Sequence, residues 1–233
     1  MNTMSFFILG VLPYIAIVLF LVGMIYRIVN WKRTPQPGKM TLFPAGDSTT
    51  KSVLAETFFF PGLFKGDKVL WSFAWIFHVT LALVFIGHIR VFTGLVDSML
   101  MSMGMSAEGI DKMSSTLGGA AGIILLATGL LLLIRRFAQR RVREISNFSD
   151  FFALLLLIAI IFSGDLMRFG SHFELEQTRI WARSLLTFSP VMVSGGMFQI
   201  HALMAMALIT YLPYSKLMHF GGIFFTQALI KRR

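Results

Sequence analysis

Five stretches of the chain are apolar on every side of a helical projection, not along one stripe: Phe6–Ile28, Val69–Phe92, Thr116–Ile134, Phe151–Leu166 and Val191–Leu212. A helix that is hydrophobic all round belongs in a large core or a membrane, and about 20 such residues cross a bilayer. The connections between them are polar, and none is long enough to form a second domain. No internal repeat or low-complexity tract interrupts the pattern. Residues 1–233 are therefore expected to form one all-α domain, an integral membrane five-helix bundle.

Composition agrees. Hydrophobic residues make up 56% of the 233, charged residues 14%, and mean hydropathy is +0.74. A soluble domain of this size cannot hide so much apolar surface. The opening "MNTMSFF" has no cation before the apolar run, and no small-residue cleavage site precedes "IYRIVNWKR". The first stretch is thus expected to be a retained helix, not a secretory signal.

Lys and Arg in the connections orient the bundle. Those at 27–68, 135–150 and from Lys216 onward hold 16 of the 21, while those at 90–112 and 168–183 hold five. By the positive-inside rule the N-terminus lies outside and the C-terminus in the cytoplasm of a prokaryotic inner membrane. The net charge of +10 is then a topology signal, not the footprint of a nucleic-acid binder. Cysteine is absent, so the chain supplies no thiolates to an iron–sulfur cluster and no C-x-x-C-H for covalent haem.

Histidine is costly in hydrocarbon and marks function there. His78 and His88 lie in the second stretch, His201 lies in the fifth, and His219 follows it. The two helices run antiparallel, so His88 meets His201 at the outer depth and His78 meets His219 at the inner depth. Two facing imidazoles, twice over, are what two bis-histidine haems b require. Alone, such a histidine also fits an interfacial residue or an interhelical hydrogen bond. The helical rises disagree, ~15 Å for ten residues against ~27 Å for eighteen. A kink at Pro213, tilt and side-chain reach are the means to absorb the difference. His172, in "RFGSHFELEQTR", reads as a surface residue.

Haem propionates need cations, and Arg90, Arg168, Arg183 and Lys216 are the candidates. Asp165 is expected to pair with Arg168, three residues on; proton acceptance from a quinol is the alternative. Gly-rich "LGGAAGIILLATG" reads as a close helix contact. The Phe-rich Glu56–Phe64 segment suits the membrane interface or a docking surface.

"FHVTLALVFIGH" with "FQIHALMAMALITYLPYSKLMH" resembles the gamma subunit family of respiratory nitrate reductase. The longer first inner connection, with "ETFFFPGLFKGDKVLW", is more similar to the branch found in sulfate-reducer membrane complexes and heterodisulfide reductase. The resemblance implies two b haems on the pairs given above and quinol or menaquinol chemistry near the outer one, with Lys112 as a quinone-site candidate. It also implies a cytoplasmic iron–sulfur partner, heterodisulfide-reductase-like or nitrate-reductase-like. A periplasmic multihaem cytochrome c and other membrane subunits complete the expected company. The alternatives are a haem-free anchor, and a transporter or proton channel with a histidine relay; the sequence shows neither the broken helices nor the inverted repeats that mark transporters.

Overall fold

The computed structural model describes residues 3–34, 49–170 and 174–230. His172 lies outside the described residues. Helices account for the architecture, and no strand occurs among the described residues. Five helices are long and apolar enough to cross a membrane: Thr3–Arg33, Lys68–Phe92, Ala107–Ala138, Phe148–Gly170 and Gly196–Tyr214. These are the first to fifth spans below.

Their ends have local causes. Asp67 caps the second span, its Oδ1 accepting from the Leu70 N–H at 2.9 Å, and its other oxygen takes Arg135 Nη2 at 3.0 Å. One carboxylate thus starts the second span and ties it to the end of the third. The third span starts at Ala107, well before the apolar run, because the Ser106 hydroxyl accepts from the Gly109 N–H at 3.1 Å. Hydropathy registers only the apolar part of that helix; its first turns are polar and still helical. The fifth span starts at Gly196, not Val191. Gly195 has φ of +129°, which a side chain would resist.

Second packs on third, third on fourth, fourth on fifth, and fifth on first. The glycines of the third span sit at these contacts. A Cβ on Gly119 would lie 3.1 Å from the Phe169 ring, and one on Gly129 would lie 3.3 Å from Ile158. Small residues let the backbones approach, as expected of the motif. Among the described residues, the second span packs on the third and not closely on the fifth.

The end that carries Arg90 is braced by ions. Arg90 Nε meets Asp97 Oδ1 at 2.5 Å and its Nη2 meets Asp111 at 2.8 Å. Arg179, from the helix Leu175–Leu186, bonds the same Asp97 and donates from Nε to the Arg90 carbonyl at 2.8 Å. Trp181 on that helix donates to the Leu9 carbonyl at 2.9 Å. Leu9 lies in a π-helical turn, Phe7–Val11, near the start of the first span. It packs with Ala16, Ala202 and Met206 in the buried core.

Burial pushes the Asp97 carboxyl up, but hydrogen bonds from Arg90 and Arg179 outweigh it and hold the group below the usual carboxylate range. Its stabilisation is complete above the ordinary Asp pKa of about 3.9 and is lost as pH falls through the lower folded-state value. Asp97→Asn should cost about 3 kcal/mol, the low end for a broken buried pair, because Asp111 and Glu176 each keep one cation company. Thermal unfolding in detergent at neutral pH should show the loss. The gap between variant and wild type should close in acid.

Candidate functional site

The second and fifth spans face each other across a space that four imidazoles enter. The His88 and His201 ring centres are 6.3 Å apart with planes 15° from parallel. Those of His78 and His219 are 5.8 Å apart and nearly perpendicular, at 85°. Both pairs join the residues that depth matching joins.

Each ring has one nitrogen committed. His78 Nδ1 lies 2.7 Å from the Ala74 carbonyl, His88 Nδ1 lies 2.7 Å from that of Val84, and His219 Nδ1 lies 3.1 Å from that of Lys216. A carbonyl only accepts, so in each case Nδ1 carries the proton. His201 Nδ1 lies 2.9 Å from the Ser163 hydroxyl, which itself donates to the Ile160 carbonyl at 2.8 Å. With its hydrogen spent there, the Ser163 oxygen accepts from His201. All four rings thus leave Nε2 as the basic, metal-binding nitrogen, and histidine ligands are oriented in this way. Two metal–imidazole bonds of about 2 Å each, plus the two ring radii, separate ring centres by roughly 6 Å. Both ring-centre separations are compatible with a single iron between the rings. Among the described residues no three His, Asp or Glu side chains converge, so an ion here would have two protein ligands. A macrocycle that brings its own equatorial nitrogens fits such a site.

The spacing conflict is settled by a break in the fifth helix, which a sequence reading without broken helices does not anticipate beyond the Pro213 kink. Regular α-helix ends at Tyr211; 3₁₀ turns follow at Leu212–Tyr214 and Lys216–Met218, and helix resumes at His219. Pro213 lacks an N–H, and extended Ser215 starts the next turn by accepting from the Leu217 N–H at 3.2 Å. The first span accommodates the break at Gly23, where a Cβ would lie 2.8 Å from Pro213 and from the Tyr214 hydroxyl.

The expected cations divide. Arg90 is committed to Asp97 and Asp111, and Lys216 to Asp150 at 2.9 Å. Arg168, Arg183 and Lys112 are exposed. The Asp165–Arg168 pair is not made as a direct contact. The Asp165 carboxylate is tucked against Gly122, with Oδ2 buried and unpartnered among the described residues, while Arg168 lies over Gly118. The backbone of the glycine-rich third span admits both side chains and draws them to separate glycines.

Sequence reasoning missed three residues. Ser163 is one. Phe60 is another: it sits in the left-handed region at φ +51° and meets the His78 ring edge-on at 5.2 Å. The carbonyls beside it, of Phe58 and Phe59, accept from the Trp75 and Trp71 indoles at 3.0 and 2.7 Å. The Phe-rich segment is thereby folded back onto the second span. Arg27 is the third, with a buried, unpartnered Nε beside Trp31. A cation one turn from Gly23 on the first span was the available signal.

An all-helical, multi-pass membrane protein with paired, pre-oriented imidazoles between two spans has the construction of an electron-transfer subunit. The chain belongs to the nitrate reductase gamma subunit family, whose sequence profile matches residues 63–231. It is 35% identical to the Hdr-like menaquinol oxidoreductase cytochrome b-like subunit of Archaeoglobus fulgidus, over 93% of this chain and 76% of that protein. It is 27% identical to the respiratory nitrate reductase 1 gamma chain of Escherichia coli, over 96% and 93% of the two chains. The nitrate reductase gamma chain of Bacillus subtilis is 28% identical over 90% and 88%. The expected membership is met, as is the likeness to the heterodisulfide-reductase branch, and the chain is a membrane electron-transfer subunit.

Because Pro213 cannot yield to a Cβ, Gly23→Ala should lower stability by about 1–3 kcal/mol, as overpacking does. Gly66→Ala, where a Cβ meets nothing within 4 Å, serves as the control. Thermal unfolding of the two variants side by side checks the difference.

Proposed function

We propose that this chain is a dihaem cytochrome b subunit, with His88 and His201 holding one haem and His78 and His219 the other. The observation that carries the reading is the two facing imidazole pairs, each ring tied at Nδ1 and available at Nε2. Bound haem would supply one-electron transfer. The chain's own residues do the rest. The helices fix the two ligand pairs at two depths, and the apolar spans keep water from the path between them. Phe60 and Phe77 pack edge-on to His78.

The excess of Lys and Arg on one set of connections supports an external N-terminus, with the His88–His201 pair outer and the His78–His219 pair inner. Exposed Arg168 and Arg183 on the outer side suit anionic propionates. Arg90 and Lys216, engaged with carboxylates, would reach a propionate only by sharing their charge. The menaquinol in the Archaeoglobus relative's name supports quinol as the outer electron donor, and Lys112 is exposed on that side. A periplasmic cytochrome is the other donor class, and a cytoplasmic iron–sulfur subunit is the acceptor; electron flow in the opposite sense uses the same parts.

The purified chain should show two low-spin b haems in a reduced-minus-oxidised spectrum with haem quantified. His88→Ala and His219→Ala should each lose one, and the double variant both. Colourless, well-folded wild-type protein would overturn the proposal in favour of a haem-free anchor.

A further inference from the structure

Three of the four histidines take their Nδ1 partner from the carbonyls of their own helical turn: Ala74, Val84 and Lys216. His201 does not. Its Nδ1 meets the hydroxyl of Ser163, 38 residues away on the fourth span and only 3% exposed, and the Ile160 carbonyl of the same turn as Ser163 also acts on the ring. The fourth span carries no ligand histidine, yet it holds one. The adjoining Gly164 makes the approach feasible, since a Cβ there would sit 3.4 Å from His201 Cε1.

We propose that Ser163 is the positioning residue for the ligand His201, and that its hydroxyl strengthens His201 as a donor and so lowers the potential of that haem alone. The inference rests on the bis-histidine reading above. The physics is a relay of two hydrogen bonds. Ser163 donates to the Ile160 carbonyl, and that donation polarises its oxygen as an acceptor for the His201 Nδ1 proton. An imidazole whose N–H is drawn toward an acceptor is more basic at its other nitrogen. A stronger axial donor favours ferric over ferrous iron, and such hydrogen bonding is one of the levers on haem potential. Without the hydroxyl, His201 would also lose the contact with a side chain of the fourth span that helps set its ring angle. The other haem has no comparable tie, because both of its ligands are oriented within their own chain segments.

The test is a redox titration, followed by visible absorbance, of the haem-loaded full chain. Wild type, Ser163→Ala, Ser163→Thr and Thr128→Ala are compared. Thr128 is a buried hydroxyl bonded only to carbonyls of its own helix, and it controls for loss of a buried hydroxyl as such. Ser163→Ala should move one of the two couples to a more positive potential, with the other unchanged, and that haem should be lost more readily on dilution. Ser163→Thr should titrate close to wild type, and Thr128→Ala should leave both couples in place. If Ser163→Ala does not accumulate, Ser163→Cys, a weaker acceptor, is read for the same one-sided upward shift. Couples that superimpose on wild type, or that move together, would overturn the role of Ser163 while leaving the ligand assignment standing. Wild-type protein without haem overturns the assignment itself, and shows before any variant is compared.

Discussion

The arrangement of the four histidines follows from the cost of an unsatisfied N–H where there is no water. An imidazole in a membrane span carries one ring proton that must find an acceptor. Ala74, Val84, Ser163 and Lys216 provide it for the four rings. Meeting that requirement fixes the tautomer, and the tautomer decides which nitrogen is left basic. Satisfying the polar group and, on the proposed reading, preparing the ligand are thus one act. The second and fifth spans stay apart while every other sequential pair of spans from the second onward packs closely. The first span packs on the fifth instead of its sequence neighbour, leaving the imidazole-lined space between the second and fifth free of a closing helix.

Much of this was legible because histidine and apolar length are both strong signals against a hydrocarbon background. Five spans, two antiparallel histidine helices and the pairing of their depths come from spacing alone. The eighteen-residue separation read as a conflict only under the assumption of one straight helix. Pro213 pointed to the remedy, but its extent did not: two 3₁₀ turns around an extended Ser215 need Gly23 opposite them, and that contact is between residues 190 positions apart. Ser163 was illegible for a related reason. A serine in an apolar span usually bonds its own helix, and Ser163 does so too, with Ile160. Only the approach of the fifth span gives its oxygen a second use. Asp165 shows the reverse error. A spacing of three suggests an ion pair with Arg168, yet Gly118 and Gly122 offer each side chain a separate place against the third span.

The two ends of the site are held by different forces, and the difference bears on how each can serve electron transfer. At the His88 end, Arg90 and Arg179 share the largely buried Asp97, and exposed Asp111 and Glu176 each pair with one of them. Buried charges that are mutually paired hold their geometry tightly, since moving one strands the others. At the His78 end the packing is aromatic: Phe60 and Phe77 meet the ring, while Trp71 and Trp75 stack and pin the Phe58–Phe59 backbone. Aromatic packing shields the His78 side of that pair without introducing charge. Phe58 and Phe59 remain more than 60% exposed, so the indole hydrogen bonds, not burial of their own side chains, hold the segment in place. A span that is apolar throughout could not have supplied both environments. The polar connections supply them, which is why so much of the ordered structure outside the membrane folds back onto the ends of the second span.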